Sequence, residues 1–352
     1  MQLFRETIMV AFAFVGVVVG AGFATGQEIF QFFTSHGSYS IAGIIVTGLI
    51  ITLAGVFVLN TGFTIQSHNH SESIQYYLHP MIARIFDIIL TLFLFSLAMI
   101  MTAGGASTIH ESFGLPYWLS SLLLVLFILM TLFLKFERLI TVLGMVTPFL
   151  VIVVSIIAIY YFITGDVNFS AANRFNEQHG LSLGWWFDGL NYASLQIAAA
   201  FSFLSVMGGR MQHRQSALWG GILGGIIITL LLLMINLGLV TEFEHIQSVA
   251  LPTLLLANHI SPLLGTMMSI IMILVIYNTI VGLMYAFASR FTEPFSKGYF
   301  VLIIAMAIVT FICTFIGFIS LIGKVFPIMG LFGFILLIPI LYQGFKHFVL
   351  SK

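Results

Sequence analysis

Glu28 is the residue of this sequence whose chemistry most needs an explanation. It stands in an apolar stretch from about residue 6 to residue 33, about five residues inside the far end and so ~7.5 Å deep at 1.5 Å per residue. A carboxylate at that depth is expensive and faces a cavity or a partner. No Lys or Arg falls in the middle of any apolar stretch of the chain. The acid must then hold a proton, meet a cation or a substrate amine, or bond to a broken helix end or a hydroxyl. The residues before it favour a break. Gly20, Gly22 and Gly26 cluster near mid-membrane, with Ala21, Phe23, Ala24 and Thr25 between them, and each glycine costs a helix ~1 kcal/mol relative to alanine. Unwinding there would free peptide groups that must be buried in protein or line a wet cavity, where they can coordinate a cation or an anionic group. The competing role is close packing, because Gly16/Gly20 and Gly22/Gly26 both keep small-xxx-small spacing.

Two further groups of residues could serve the same chemistry. Tyr192, Ser194 and Gln196 sit at mid-depth of a later apolar segment, within a run rich in Ala and Ser. They could hydrogen-bond a small polar ligand or simply one another's helices. Tyr277, Asn278 and Thr279 interrupt another apolar segment, and their oxygens suit a hard cation such as sodium or a satisfied polar cluster. His68, His70, Glu72 and His79 share one polar connection and read as solvated side chains. Gly220, Gly221, Gly224 and Gly225 read as tight packing, and Thr147-Pro148 as a kink.

The elements that must position these groups follow from composition. Of 352 residues, 60% are hydrophobic and 7% charged, with 12 basic and 12 acidic residues balancing to zero, and the mean hydropathy is +1.13. A soluble domain carries roughly 25% charged residues, so a soluble enzyme, a disordered chain and a nucleic-acid binder are excluded. Continuous apolar runs argue against an outer-membrane barrel, whose strands alternate. The one cysteine, Cys313, supports neither a disulfide framework nor a metal cluster. Hydrolase, zinc-protease and nucleotide-binding motifs are absent from the sequence, so the expectation is a non-enzyme.

Ten apolar segments of membrane-crossing length are read at about 6–33, 40–61, 82–109, 116–134, 139–164, 185–207, 216–240, 262–289, 299–319 and 325–344. With the N-terminus inside, Arg5, Arg84, Lys135, Arg138, Arg210, Arg214, Arg290, Lys297, Lys346 and Lys352 fall inside, and Arg174 and Lys324 outside. That bias puts both termini in the cytoplasm. The expected fold is all-α and polytopic, with residues 1–164 forming spans one to five, 165–184 an outer loop, and 185–352 spans six to ten. An odd number of spans per half inverts the second half, a plan of secondary transporters. Spans one and six would then be counterparts, both broken at mid-depth. Leu251 to Ser261 reads as an outer re-entrant or capping segment.

Gly20-Ala21-Gly22-Phe23-Ala24-Thr25-Gly26-Gln27-Glu28-Ile29-Phe30-Gln31-Phe32-Phe33 resembles the first-helix signature of the bacterial YkvI-like membrane proteins. The stretch from Tyr192 to Gly225, with Ser194, Gln196, Gly208-Gly209-Arg210 and a glycine-rich following span, is similar to that family's sixth and seventh helices. The family is a distant branch of the amino acid–polyamine–organocation superfamily. The resemblance implies the five-plus-five inverted-repeat fold of the sodium symporters, with helices one and six broken. It also implies a substrate pocket at Gly20 to Gly26 and Ser194 to Ala199. A sodium site would use carbonyls near Gly20 and Phe23 with Thr279 and Asn278. Gln27-Glu28 replace the asparagine and arginine gate of the neurotransmitter symporters, and span five has no lysine in place of sodium, so a proton on Glu28 is the alternative coupling ion. The expected function is ion-coupled transport of a small polar solute, an amino acid or related amine, across a bacterial inner membrane. The alternative is a non-transporting sensor or assembly protein on the same fold.

Overall fold

The computed structural model describes residues 2–67, 70–133, 146–165, 167–179, 184–293 and 295–350. These residues are helical with short connections, and no strand occurs among them. In chain order come α1 (Gln2–Val18), α2 (Ala21–Thr25) and α3 (Gln27–Phe32), a 3-10 segment (Thr34–Tyr39), and the long α4 (Ser40–Ile65). Then follow α5 (His70–Tyr77), α6 (Pro80–Phe113), α7 (Tyr117–Phe133), α8 (Val146–Thr164) and α9 (Ser170–His179). The second half holds α10 (Trp185–Gly209), α11 (Arg214–Thr241), α12 (Phe243–Ile246), α13 (Pro252–Ile260), α14 (Pro262–Phe291), α15 (Lys297–Thr314) and α16 (Phe318–Leu350).

Seven of the described helices are long and apolar enough to cross a membrane: α4 with the 3-10 segment before it, α6, α10, α11, α14, α15 and α16. Helices α7 and α8 are shorter and also apolar. The chain is a multi-pass membrane protein, and its outer surface says so. Leu123, Phe127 and Met130 of α7, Ile152, Ile156 and Ile159 of α8, and Val301, Ile304, Ile308 and Ile312 of α15 are exposed. Their spacing of three or four puts each set on one outward helix face, apolar where water would demand polar groups. Several hydroxyls inside the helices are satisfied locally. Thr52, Thr102 and Ser155 donate to the carbonyls of Gly48, Ala98 and Val151 at 2.6–2.7 Å, which leaves these three groups partnered in an apolar medium.

Helices α1, α4, α10 and α11 pack as one bundle, while α6 and α14 pack against each other. Glycine lets the bundle close. A Cβ on Gly62 or Gly208 would strike the facing backbone of α10 or α4, so these two helices touch main chain to main chain. The four glycines of α11 do have a packing role: Gly220 and Gly224 face Val10 and Phe14, and Gly221 and Gly225 face Val56 and Thr52.

One expectation needs correction. The sixth span is not broken: α10 runs as one α-helix from Trp185 to Gly209. Its middle holds Ala198, Ala199 and Ala200, and no glycine stands between Gly189 and Gly208. Alanine is the best helix former, so the small residues that suggested a break instead support winding. The kink expected at Thr147-Pro148 would involve positions 134–145, which lie outside the described residues.

Candidate binding site at the break in the first helix

Glycine breaks the first span twice. Helix α1 closes with the Val19 amide donating to the Val15 carbonyl at 2.7 Å. The Gly20 amide then turns to Val18 at 2.9 Å, with Gly20 extended at φ −93°, ψ −161°. Helix α2 restarts with the Ala24 amide donating to Gly20 at 3.1 Å. The second break is Gly26, at φ 77° in the left-handed region, which costs a residue with a side chain roughly 1–2 kcal/mol. Thr25 fastens the corner: its hydroxyl donates to the Gly22 carbonyl at 2.7 Å and accepts from the Gln27 amide at 3.3 Å. From outside, the Thr253 hydroxyl of α13 donates to the Ala24 carbonyl. The segment expected as an outer cap thus lies directly over the break, and a Cβ on Gly26 would press on Thr253 and Pro252.

This corner folds Glu28 back toward Gly22. The carboxylate lies against the bare Cα of Gly22, where a Cβ would overlap it. Glu28 is 4% exposed, and its Oε2 accepts from the Tyr192 hydroxyl and from Gln196 Nε2, each at 3.3 Å. Tyr192 and Gln196 are four residues apart and so share one face of α10. Tyr192 is fully buried, and the rings of Phe32 and Phe33, at centroid distances of 5.3 and 5.1 Å, hold it in place. Among the described residues Oε1 of Glu28 accepts no hydrogen bond.

A cavity of about 90 Å³ adjoins the carboxylate. Gly20, Gly22, Phe23 and Glu28 form its wall from the first span, and Leu195, Gln196 and Ala199 its wall from α10. Phe93, Leu97 and Met101 of α6, Thr279 of α14 and Phe326 of α16 complete it. The structure therefore brings together Gly20, Gly22, Phe23, Glu28, Gln196 and Thr279 on one cavity, with Tyr192 behind the acid. It leaves out Gly26, Asn278 and Ser194. Ser194 faces the other side of α10, donating to Asn191 at 2.9 Å and to the Gly330 carbonyl of α16 at 2.5 Å. The Gly20 and Phe23 carbonyls both accept amides of the re-formed turn, from Ala24 and Gly26, and Thr279 donates to Val275 at 2.9 Å. Tyr277 turns away, bonding Thr131 of α7. No group of three His, Cys, Asp or Glu able to hold a metal ion occurs among the described residues.

The sequence reading missed Phe93, Leu97, Met101 and Phe326, because an apolar wall residue looks like any other apolar residue of a span. It also missed a buried serine triangle, Ser67, Ser73 and Ser205, which joins the end of α4 to α5 and α10. It missed His36 as well, whose Nε2 lies 2.8 Å from Asp188.

Solved membrane transporters share this fold. A mutant of the Eremococcus coleocola manganese transporter superposes with a TM-score of 0.54 at 13% identity, covering 86% of this chain and 69% of that one. Mhp1 in its inward-facing conformation gives 0.52 at 12% identity, covering 94% and 74%. A Na+-coupled sialic acid symporter in a substrate-bound outward-open state gives 0.50 at 12% identity, covering 94% and 85%. No family model matches the chain. In sequence the chain is similar to YyaD of Bacillus subtilis, 24% identical over 342 residues and 97% of each chain. It is likewise similar to the Bacillus subtilis membrane protein YkvI, 25% identical over 326 residues and 91% of each. The likeness to YkvI-like proteins read from Gly20–Phe33 thus extends over nearly the whole chain.

Proposed function

We propose that this chain is an ion-coupled secondary transporter of a small polar solute, working by alternating access in the bacterial inner membrane. The observation that carries the reading is the buried Glu28 carboxylate, set in the opened first helix beside a cavity. An acid in apolar surroundings is retained only where it does work, and alternate loading of such a site couples two fluxes. The chain crosses the membrane ten times, α1–α3 together making the first crossing, with both termini cytoplasmic. Residues 1–164 and 185–352 are the two inverted repeats, and 165–184 joins them. The bundle of α1, α4, α10 and α11 rocks against the remaining helices, in keeping with its close internal packing.

Glu28, Gln196 and the backbone at Gly20 and Gly22 hold the solute, an amino acid or a related amine, and Thr279 borders the coupling cation. That cation is sodium or a proton. The manganese transporter's fold is shared, but one carboxylate with no histidine beside it suits a hard cation or a proton better than a transition metal. Uptake into proteoliposomes under imposed sodium and proton gradients tests the reading. Glu28→Gln is expected to abolish gradient-driven uptake, and Glu28→Asp to retain part of it. Uptake by Glu28→Gln equal to wild type at every pH would remove Glu28 from the mechanism.

A further inference from the structure

The cavity's one charged side chain and its one hydroxyl both offer acceptors, and this narrows the solute. Glu28 presents Oε1, which takes no bond from the described residues. Gln196 spends one amide hydrogen on Glu28 and keeps the other together with its carbonyl oxygen. Thr279 spends its hydroxyl proton on Val275 and keeps its lone pairs. Among the described residues the lining holds no Lys, Arg or His. The rest of the wall is apolar and includes the rings of Phe23, Phe93 and Phe326, whose faces attract a cation.

The means of gripping a carboxylate are also reduced. Two broken helices would offer two sets of free amides, but α10 is wound through its centre and its amides are spent. At the first helix, the bare Cα of Gly22 is already covered by the chain's own carboxylate. A solute carboxylate placed there would lie against Glu28, and like charges at that range in an apolar site repel strongly. The room is also small: about 90 Å³, against roughly 300–1,000 Å³ for pockets that take drug-sized ligands.

On the reading that this site carries the transported solute, we infer that the solute is a small monovalent organic cation with N–H donors and no carboxylate, a short alkylammonium in chemical class. Its ammonium sits on Glu28 Oε1 with Gln196 and Thr279 as further acceptors, and its alkyl part lies against Leu97, Met101 and Phe326. Of the two solute classes proposed above this selects the amine over the amino acid, whose own carboxylate would meet Glu28.

Calorimetric titration and thermal unfolding of the purified chain in lipid nanodiscs test this with four probes: propylammonium, 1-propanol, alanine and sodium chloride. Propylammonium is expected to bind one site and raise the melting temperature. The uncharged 1-propanol and the zwitterionic alanine are expected to bind at least about thirtyfold more weakly, the penalty of leaving a buried charge unpaired or opposed. Glu28→Gln is expected to lose propylammonium binding by a similar factor while unfolding cooperatively; should that variant not fold, the wild-type series decides by itself. Alanine binding as tightly as propylammonium, sodium binding in its place, or binding by none of the four overturns the inference. Flux separates this from the wider reading. Propylammonium that binds through Glu28 but never enters proteoliposomes above the leak of empty vesicles, under any sodium or proton gradient, defeats the transporter reading and leaves the binding site standing. Glu28-dependent uptake of alanine does the reverse.

Discussion

The first span and α10 meet at the centre of the molecule, and both are rich in small residues, yet one is opened twice and the other is wound throughout. In the first span the small residues are Gly20, Gly22 and Gly26; in α10 they are Ala198, Ala199 and Ala200. Glycine can turn its backbone to φ 77° at Gly26 and can let a carboxylate rest on its Cα at Gly22. Alanine does neither, and it prefers the helix. The two regions therefore divide the labour. The first span supplies an acid and a gap in the backbone, and α10 supplies a rigid face whose Tyr192 and Gln196, one turn apart, hold that acid at 3.3 Å. A helix that is to open needs glycine, and polarity at mid-depth alone does not open one.

Substitutions can break or sharpen this contrast. The largest effect is expected from Gly22→Ala. Its new methyl falls on the Glu28 carboxylate and must displace it, and a shift of that size at a reacting or binding centre costs about a hundredfold. Initial uptake rates normalised to folded protein check this, and a change under threefold would show that the contact between Gly22 and Glu28 does not matter. Next is Gly26→Ala, which forces a side chain into the left-handed region at a cost of about 1–2 kcal/mol and crowds Thr253 and Pro252. A lower melting temperature with intact ligand selectivity is expected, and unchanged stability would mean the corner is not held in that conformation. The smallest effect on binding is expected from Ser194→Ala. That hydroxyl bonds Asn191 and Gly330, so stability should fall by about 1 kcal/mol while solute affinity stays within about twofold. A larger loss of affinity would place Ser194 back in the pocket.

The same contrast explains what could be read from residues alone. The glycine cluster and the isolated acid were legible because each violates a rule of membrane helices, one of helix propensity and one of solvation. The separate segment at Leu251–Ser261 was legible from a short apolar stretch between polar ends, and it forms α13. The state of α10 was not legible, because a hydroxyl or amide inside a span has two satisfactory fates. Ser194 found a carbonyl of its own turn and one of α16, and Gln196 found Glu28; neither needed an unwound backbone. Nothing in the sequence distinguishes Phe93 or Phe326 on the cavity wall from the neighbours that face other helices.

Hydrogen exchange resolved to single amides, with the chain in lipid nanodiscs, addresses the central claim most directly. The amides from Gly20 to Gly26, where the regular ladder is interrupted, should exchange orders of magnitude faster than those from Leu195 to Ala200 in the continuous α10, and saturating propylammonium should slow the first set alone. Equal and strong protection of both segments, unaltered by the ligand, would contradict an opened first helix working against a closed α10.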